Sequence, residues 1–204
     1  MQSQLQTKPN DVESRMELGK IYLSEYMIPE AIGEFERVLK IDPNHIQAYL
    51  LLSLTIQKCP EPNLPRAAKL LGKASELAPD NADVHLNLAQ VYDKQEQDEK
   101  AIREFERAIE LSDDPATLVS AHLGLMAIHK KRGESEKADE HYDAAYEIYP
   151  GVQEMIKQAE IDRVTPAPKY AGEEFRAEDG FHPSLERRIE HARKEISEIS
   201  GKTK

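Results

Sequence analysis

The sequence predicts an all-α solenoid of about four helix-turn-helix repeats. Three observations carry that prediction: an apolar skeleton that recurs along the chain, two helical hydrophobic patterns inside each copy, and a proline near each copy's end. The copies start near Val12, Ile46, Ala82 and Val119, at offsets of 34, 36 and 37 residues. The first reads Leu18, Gly19, Tyr22, Ala31, Phe35, Val38 and Pro43. The third reads Leu88, Ala89, Tyr92, Ala101, Phe105 and Ala108, closing with Asp113 and Pro115. The second keeps the order as Leu52, Ser53, Ile56, Ala67, Leu71, Ala74 and Pro79, with two extra residues in its middle turn. The fourth runs Leu125, Met126, His129, Gly133, Ala138, Tyr142, Ala145 and Pro150.

Each element follows from this skeleton. Neither helix of a unit can bury its apolar stripe alone, so the two pair and the pairs stack. Ala31, Ala67, Ala101 and Ala138 are expected where paired helices approach closely. Phe35, Leu71, Phe105 and Tyr142, one turn later, fill the space between hairpins. Pro43, Pro79, Pro115 and Pro150 lack the amide a helix interior needs, so each is expected to end a second helix. Pro29 and Pro65 fall at second-helix starts, where proline costs little, and Gly133 supplies the fourth turn.

The combination of Leu-Gly, Tyr, Ala, Phe and Pro in one unit, over roughly residues 12–150, resembles tetratricopeptide repeats. The resemblance implies a right-handed superhelix whose concave face is built by the first helices and binds segments of other proteins. The chain departs from the family pattern at Arg15, where a large apolar residue is frequent, and at His129, which replaces a tyrosine. The second turn, from Lys58 to Arg66, is also long and proline-rich. Some members grip a terminal carboxylate with lysine, arginine and asparagine. Here the corresponding places hold Met16, Lys20, Leu51, Asp83 and Asn87, and Asp83 would repel the anion, which argues against that mode.

Composition narrows the function further. A hydrophobic content of 39% supports a continuous stacked core, and no stretch approaches the ~20 apolar residues of a membrane span. Residues 1–9 lack the apolar segment of a secretion signal, so a cytoplasmic location is expected, for the chain as it stands or as a soluble piece of a longer one. The single cysteine, Cys59, excludes an internal disulfide and reads as an incidental turn residue. A formal charge of −11 argues against nucleic acid, whose binding needs clustered lysine and arginine.

No catalytic constellation emerges. The seven histidines form no HExxH pair or bundle-type ligand set, and glycine-rich phosphate loops and nucleophile elbows are missing. No enzyme, cofactor or metal site is therefore expected. His85 and His122 occupy equivalent places, held by Tyr49 in the second unit, which points to packing rather than binding. His122 and His129 lie two turns apart, too far to chelate one ion unaided.

The expected function is a protein-interaction scaffold or adaptor that takes a peptide or helix in its concave groove. Met16, Leu50, Leu86 and Leu123 are expected to form an apolar stripe there, widened by Leu54 and Ala127 and rimmed by Lys20, Asn87, Gln90 and Lys130. The alternative is a homo-oligomeric assembly protein that binds another copy through its groove or tail. The domain reading is an N-terminal extension (1–11), four repeats (12–150), a capping helix (151–163), a linker (164–183) and an amphipathic helix (184–200). The last carries a seam of Leu185, Ile189, Ala192, Ile196 and Ile199, at steps of 4, 3, 4 and 3. That helix needs a partner: its own groove, the same tail on a second copy, another protein or the outer surface of the repeats.

Overall fold

The computed structural model describes residues 11–153, 156 and 157. Among these are eight α-helices and no strand: α1 (Val12–Ser24), α2 (Ile28–Ile41), α3 (Ile46–Gln57), α4 (Leu64–Leu77), α5 (Ala82–Lys94), α6 (Asp98–Leu111), α7 (Pro115–Lys131) and α8 (Ser135–Ile148). The described residues fall into two compact units that divide after Pro60, one holding α1–α3 and the other α4–α8. The N-terminal extension, the linker and the tail seam Leu185, Ile189, Ala192, Ile196 and Ile199 lie outside the described residues. So does most of the expected capping helix. Val152, within it, is fully buried and packs with Val119 and Ala145.

Each first helix starts on a side chain that accepts the third amide of the helix. Asp11 accepts from Ser14 at 3.2 Å, His45 from Ala48 at 3.2 Å, Asn81 from Val84 at 3.2 Å and Asp114 from Thr117 at 2.9 Å. The Thr117 amide and hydroxyl hold the Asp114 carboxyl below its usual range. Here the structure corrects the sequence reading. Pro115 does not end α6; it occupies the first turn of α7, which begins four residues before the expected Val119. An aspartate cap followed by a proline with φ already fixed outweighs the position that the repeat skeleton assigns to this proline.

The turns within the first, third and fourth repeats share one solution. Tyr26, Glu96 and Gly133 take positive φ of 56°, 58° and 74°. The next amide then bonds back to the carbonyl of Tyr22, Tyr92 or His129, at 2.8, 2.9 and 2.9 Å. This is the Schellman closure of a helix end. Its last residue, Met27, Gln97 or Glu134, starts the second helix with no side-chain cap of its own. The long second turn instead uses Asn63 to cap α4, with Pro65 in the first turn.

The cores are built by second helices pressed onto first helices. Ala31, Phe35 and Val38 are fully buried in unit one, and Ala67, Leu71, Ala74, Ala101, Phe105 and Ala108 are nearly so in unit two. Phe35 lies against Gly19 so closely that a Cβ there would meet the ring at 2.6 Å, and Phe105 seats on Gly124 of α7 in the same way. By contrast, Gly33 and Gly72 face open space. Gly124→Ala is therefore expected to destabilise by about 1–3 kcal/mol through overpacking, and Gly33→Ala to stabilise by about 0.5–1 kcal/mol through helix propensity. Urea midpoints check both. Glu96→Gly relieves a left-handed non-glycine residue and should stabilise by about 0.5–1 kcal/mol; an unchanged or lowered melting temperature would contradict that account of the turn.

Candidate functional site

The expected apolar stripe does not survive intact as a surface. In unit one, Met16 of α1 and Leu50 of α3 are only 6% and 9% exposed. In unit two, Leu86 of α5 is 9% exposed and belongs to the core formed with Ala89, Ala101, Phe105, Ala121, Leu125 and Ile128. The expectation of three open leucine or methionine side chains is corrected. Hydrophobic burial draws Leu86 into the contact between α5 and α7, leaving little of it for a ligand.

Accessible apolar surface remains at neighbouring positions. Leu54 of α3 is 37% exposed in unit one, where Lys20 is exposed and lies 4.0 Å from Glu17. In unit two Leu123 is half-buried, Ala127 and Lys130 on α7 are exposed, and Asn87 and Gln90 on α5 are half-buried. Asn87 spends one amide hydrogen on the Asp83 carbonyl at 2.7 Å, leaving the rest of its amide for other contacts. The α5–α7 face is thus mixed, with one leucine, one alanine, two amides and a lysine.

A second set of residues, missed by the sequence reading, joins the two helices of a hairpin. Arg15 of α1 donates to Glu34 of α2 at 2.8 Å, with side-chain exposures of 14% and 7%, and Arg37 also bonds Glu34. His85 of α5 meets Glu104 of α6 at 2.7 Å through Nδ1, while its Nε2 faces the Pro79 carbonyl at 3.0 Å. Both partners are acceptors, and the ring bridges them. Tyr49 makes the equivalent tether, its hydroxyl donating to the Pro43 carbonyl at 3.0 Å. His122 of α7 meets His141 of α8 at the corresponding place. Each inter-helix pair is separated by 19 residues. That spacing of a basic and an acidic side chain is the signal that could have found the first two.

Other candidates for chemistry resolve simply. Among the described residues, no group of three or more His, Cys, Asp or Glu side chains is arranged to hold a metal ion. Cys59 is half-buried, its Sγ 3.8 Å from the Thr55 carbonyl. A hollow of about 430 Å³ between the first turn of α7 and the end of α8 is lined by Pro115, Ala116, Val119, Ser120, Ile148 and Tyr149, with no charged group. Among the described residues no helix is long and apolar enough to cross a membrane.

The Arg15–Glu34 pair yields a test. Glu34→Ala leaves a largely buried guanidinium without this carboxylate and is expected to cost about 3 kcal/mol. An Arg15→Met, Glu34→Leu double variant, which removes both charges, should recover most of that loss in chemical denaturation.

Comparison with known proteins agrees with this architecture. The family model described as tetratricopeptide repeat matches residues 63–121. No curated protein matches the sequence. The fold is similar to the crystal structure of MamA, with TM-score 0.63, 23% identity, and 72% of this chain and 82% of that chain covered. It is similar to residues 41 to the end of MamA from Desulfovibrio magneticus RS-1, at TM-score 0.61, 25% identity, and coverage of 70% and 77%. A thermophilic TPR protein of Thermus thermophilus aligns at TM-score 0.61 and 19% identity, with 77% of this chain and 84% of that chain covered. The repeat match in sequence shows that residues 63–121 carry tetratricopeptide repeats, and the likeness to these structures shows an all-α helical-repeat fold of the same kind.

Proposed function

We propose that the chain is a non-catalytic scaffold or adaptor that holds a segment of a partner protein against its first helices, in unit two along α5 and α7. The observation that carries this reading is the mixed surface of Leu123, Ala127 and Lys130 on α7 beside Asn87 and Gln90 on α5. With Leu86 in the core, covering the rest of Leu123 supplies at most about 2 kcal/mol. Affinity must therefore come largely from polar contacts and from backbone hydrogen bonds of the ligand to the amides. An extended or helical segment with one apolar anchor and acidic or amide neighbours fits that surface better than a uniformly greasy helix does. In unit one the reading keeps only the accessible Lys20 of α1 and Leu54 of α3, since Met16 and Leu50 are buried.

The experiment is quantitative affinity capture from cell extract with the parent, Ala127→Glu and Lys130→Glu. Both substituted positions are exposed, so the variants should fold as the parent does. Proteins that bind this face should be depleted about tenfold or more, as expected when an interface contact worth about 1.4 kcal/mol is lost. Equal capture by all three proteins removes the α5–α7 face from the proposal. A solution mass that grows with concentration in the parent but not in Lys130→Glu would identify the partner as a second copy.

A further inference from the structure

The last hairpin of unit two brings three imidazoles together from two helices. His122 and His129 stand two turns apart on α7, and His141 of α8 touches both. Nδ1 of His141 lies 3.2 Å from Nδ1 of His122, with ring centroids 5.4 Å apart and planes tilted by 40°. The His141 ring also stacks on His129, at 5.5 Å and 17°. His129 is buried and has its own carboxylate, Glu134, 2.7 Å from Nδ1. Among the described residues, neither His122 nor His141 forms an ion pair.

Proton counting follows from this geometry. The two Nδ1 atoms aim at each other, not at a shared third point, so one must donate a hydrogen and the other accept it. With both rings neutral, one Nδ1–H bonds the other ring's lone pair. A first added proton can go to Nε2 of the donor ring, and the Nδ1–H···Nδ1 bond remains. A second has only the accepting Nδ1 left, which sets two N–H groups and two positive rings against each other. We propose that the His122–His141 pair is a proton-operated latch on the α7–α8 hairpin, closed while it carries at most one added proton and released by the second.

The charges around the latch sharpen its response. On α7, His129 adds a ring beside His141, and its Nδ1 faces Glu134, which Arg132 and Lys137 also hold. On α8, Glu140 favours a charged His141 but is exposed. α6 contributes Asp98 and Glu99, engaged by Lys131 and Arg132, while Asp93 of α5 and Glu96 of the turn after it face Lys131. Lys130 is exposed on α7, and Lys157 follows α8. Burial lowers the affinity of both latch rings for protons, and for His141 the neighbouring His122 and His129 lower it further. Release loosens the apolar cluster next to the pair, where Leu123 and Tyr142 pack on Val119, Ala145 and Val152.

The sign is fixed by linkage. Both rings have folded values below the ordinary 6.5, so the unfolded chain binds more protons between those values and 6.5. Hairpin stability is complete above pH 6.5 and falls as pH drops from there to the folded values. The inference does not depend on the ligand-binding proposal, and it is tested without a ligand on the full chain. NMR titration should show His122 and His141 titrating as a coupled pair, in steps below 6.5. Hydrogen exchange of α8, corrected for the chemical rate, should quicken relative to α5 and α6 by up to about tenfold per pH unit for each proton taken up. His141→Gln and His122→Gln should abolish that extra acceleration. The proposal is overturned if the two histidines titrate independently near 6.5, or if both variants keep the parent's pH-dependent exchange. If a variant does not fold, the parent's titration decides alone.

Discussion

An aromatic ring seated on bare backbone is the contact on which the rest of this protein depends. Phe35 of α2 covers Gly19 of α1, and Phe105 of α6 covers Gly124 of α7. The first contact closes a hairpin; the second joins a hairpin to the next first helix. Full burial of such a ring contributes about 1.5–3 kcal/mol, and truncating it costs more because a cavity remains. The glycines let the helices approach this closely, and the alanines one turn before each ring, Ala31 and Ala101, are completely buried. Everything on the first-helix surface inherits its position from these seats.

How far the sequence reveals this depends on the kind of constraint. Helix identity was legible because the 3.6-residue period and the capping residues are local: α1, α3 and α5 start at Val12, Ile46 and Ala82, where the skeleton puts them. The start of α7 was misread because the repeat skeleton and the local Asp114–Pro115 signal disagree, and the local signal wins. The groove was legible only in register. Met16, Leu50, Leu86 and Leu123 share a place on their helices, but whether that place faces solvent depends on how tightly successive first helices close. In unit two the contact of α5 with α7 takes Leu86 into the core and leaves Leu123 half-buried. Periodicity records the face and not the curvature.

The charged pairs were hidden for a different reason. Arg15 reads as a departure at a place where the family often has a large apolar residue, and a departure on one helix gives no hint of its complement. Its meaning appears only with Glu34, 19 residues later. His85 and Glu104 repeat that separation, so the place is one where a hairpin can be closed by charge as well as by packing. In the second repeat the corresponding positions hold Tyr49 and Leu70, both uncharged. Burying such a pair adds little net stability, because desolvation offsets much of the attraction. Its effect is to penalise any register in which one charge lacks the other.

The displaced proline and the histidine pair are two consequences of one change. Tyr49 and His85 each reach the carbonyl of a proline six residues earlier, Pro43 or Pro79, just before their helices begin. Six residues before His122 stands Ala116, already inside α7, and its carbonyl accepts the Ser120 hydroxyl at 2.7 Å. Beginning α7 four residues early therefore removes the tether that fixes the ring in the two preceding repeats. His122 is left to find its partner on α8, where His141 stands in place of the glutamates of α2 and α6. A position that joins a basic side chain to a glutamate in the first and third repeats thus closes the fourth with two bases that share a proton. The physical character of the contact changes from one that charge strengthens to one that a second charge breaks.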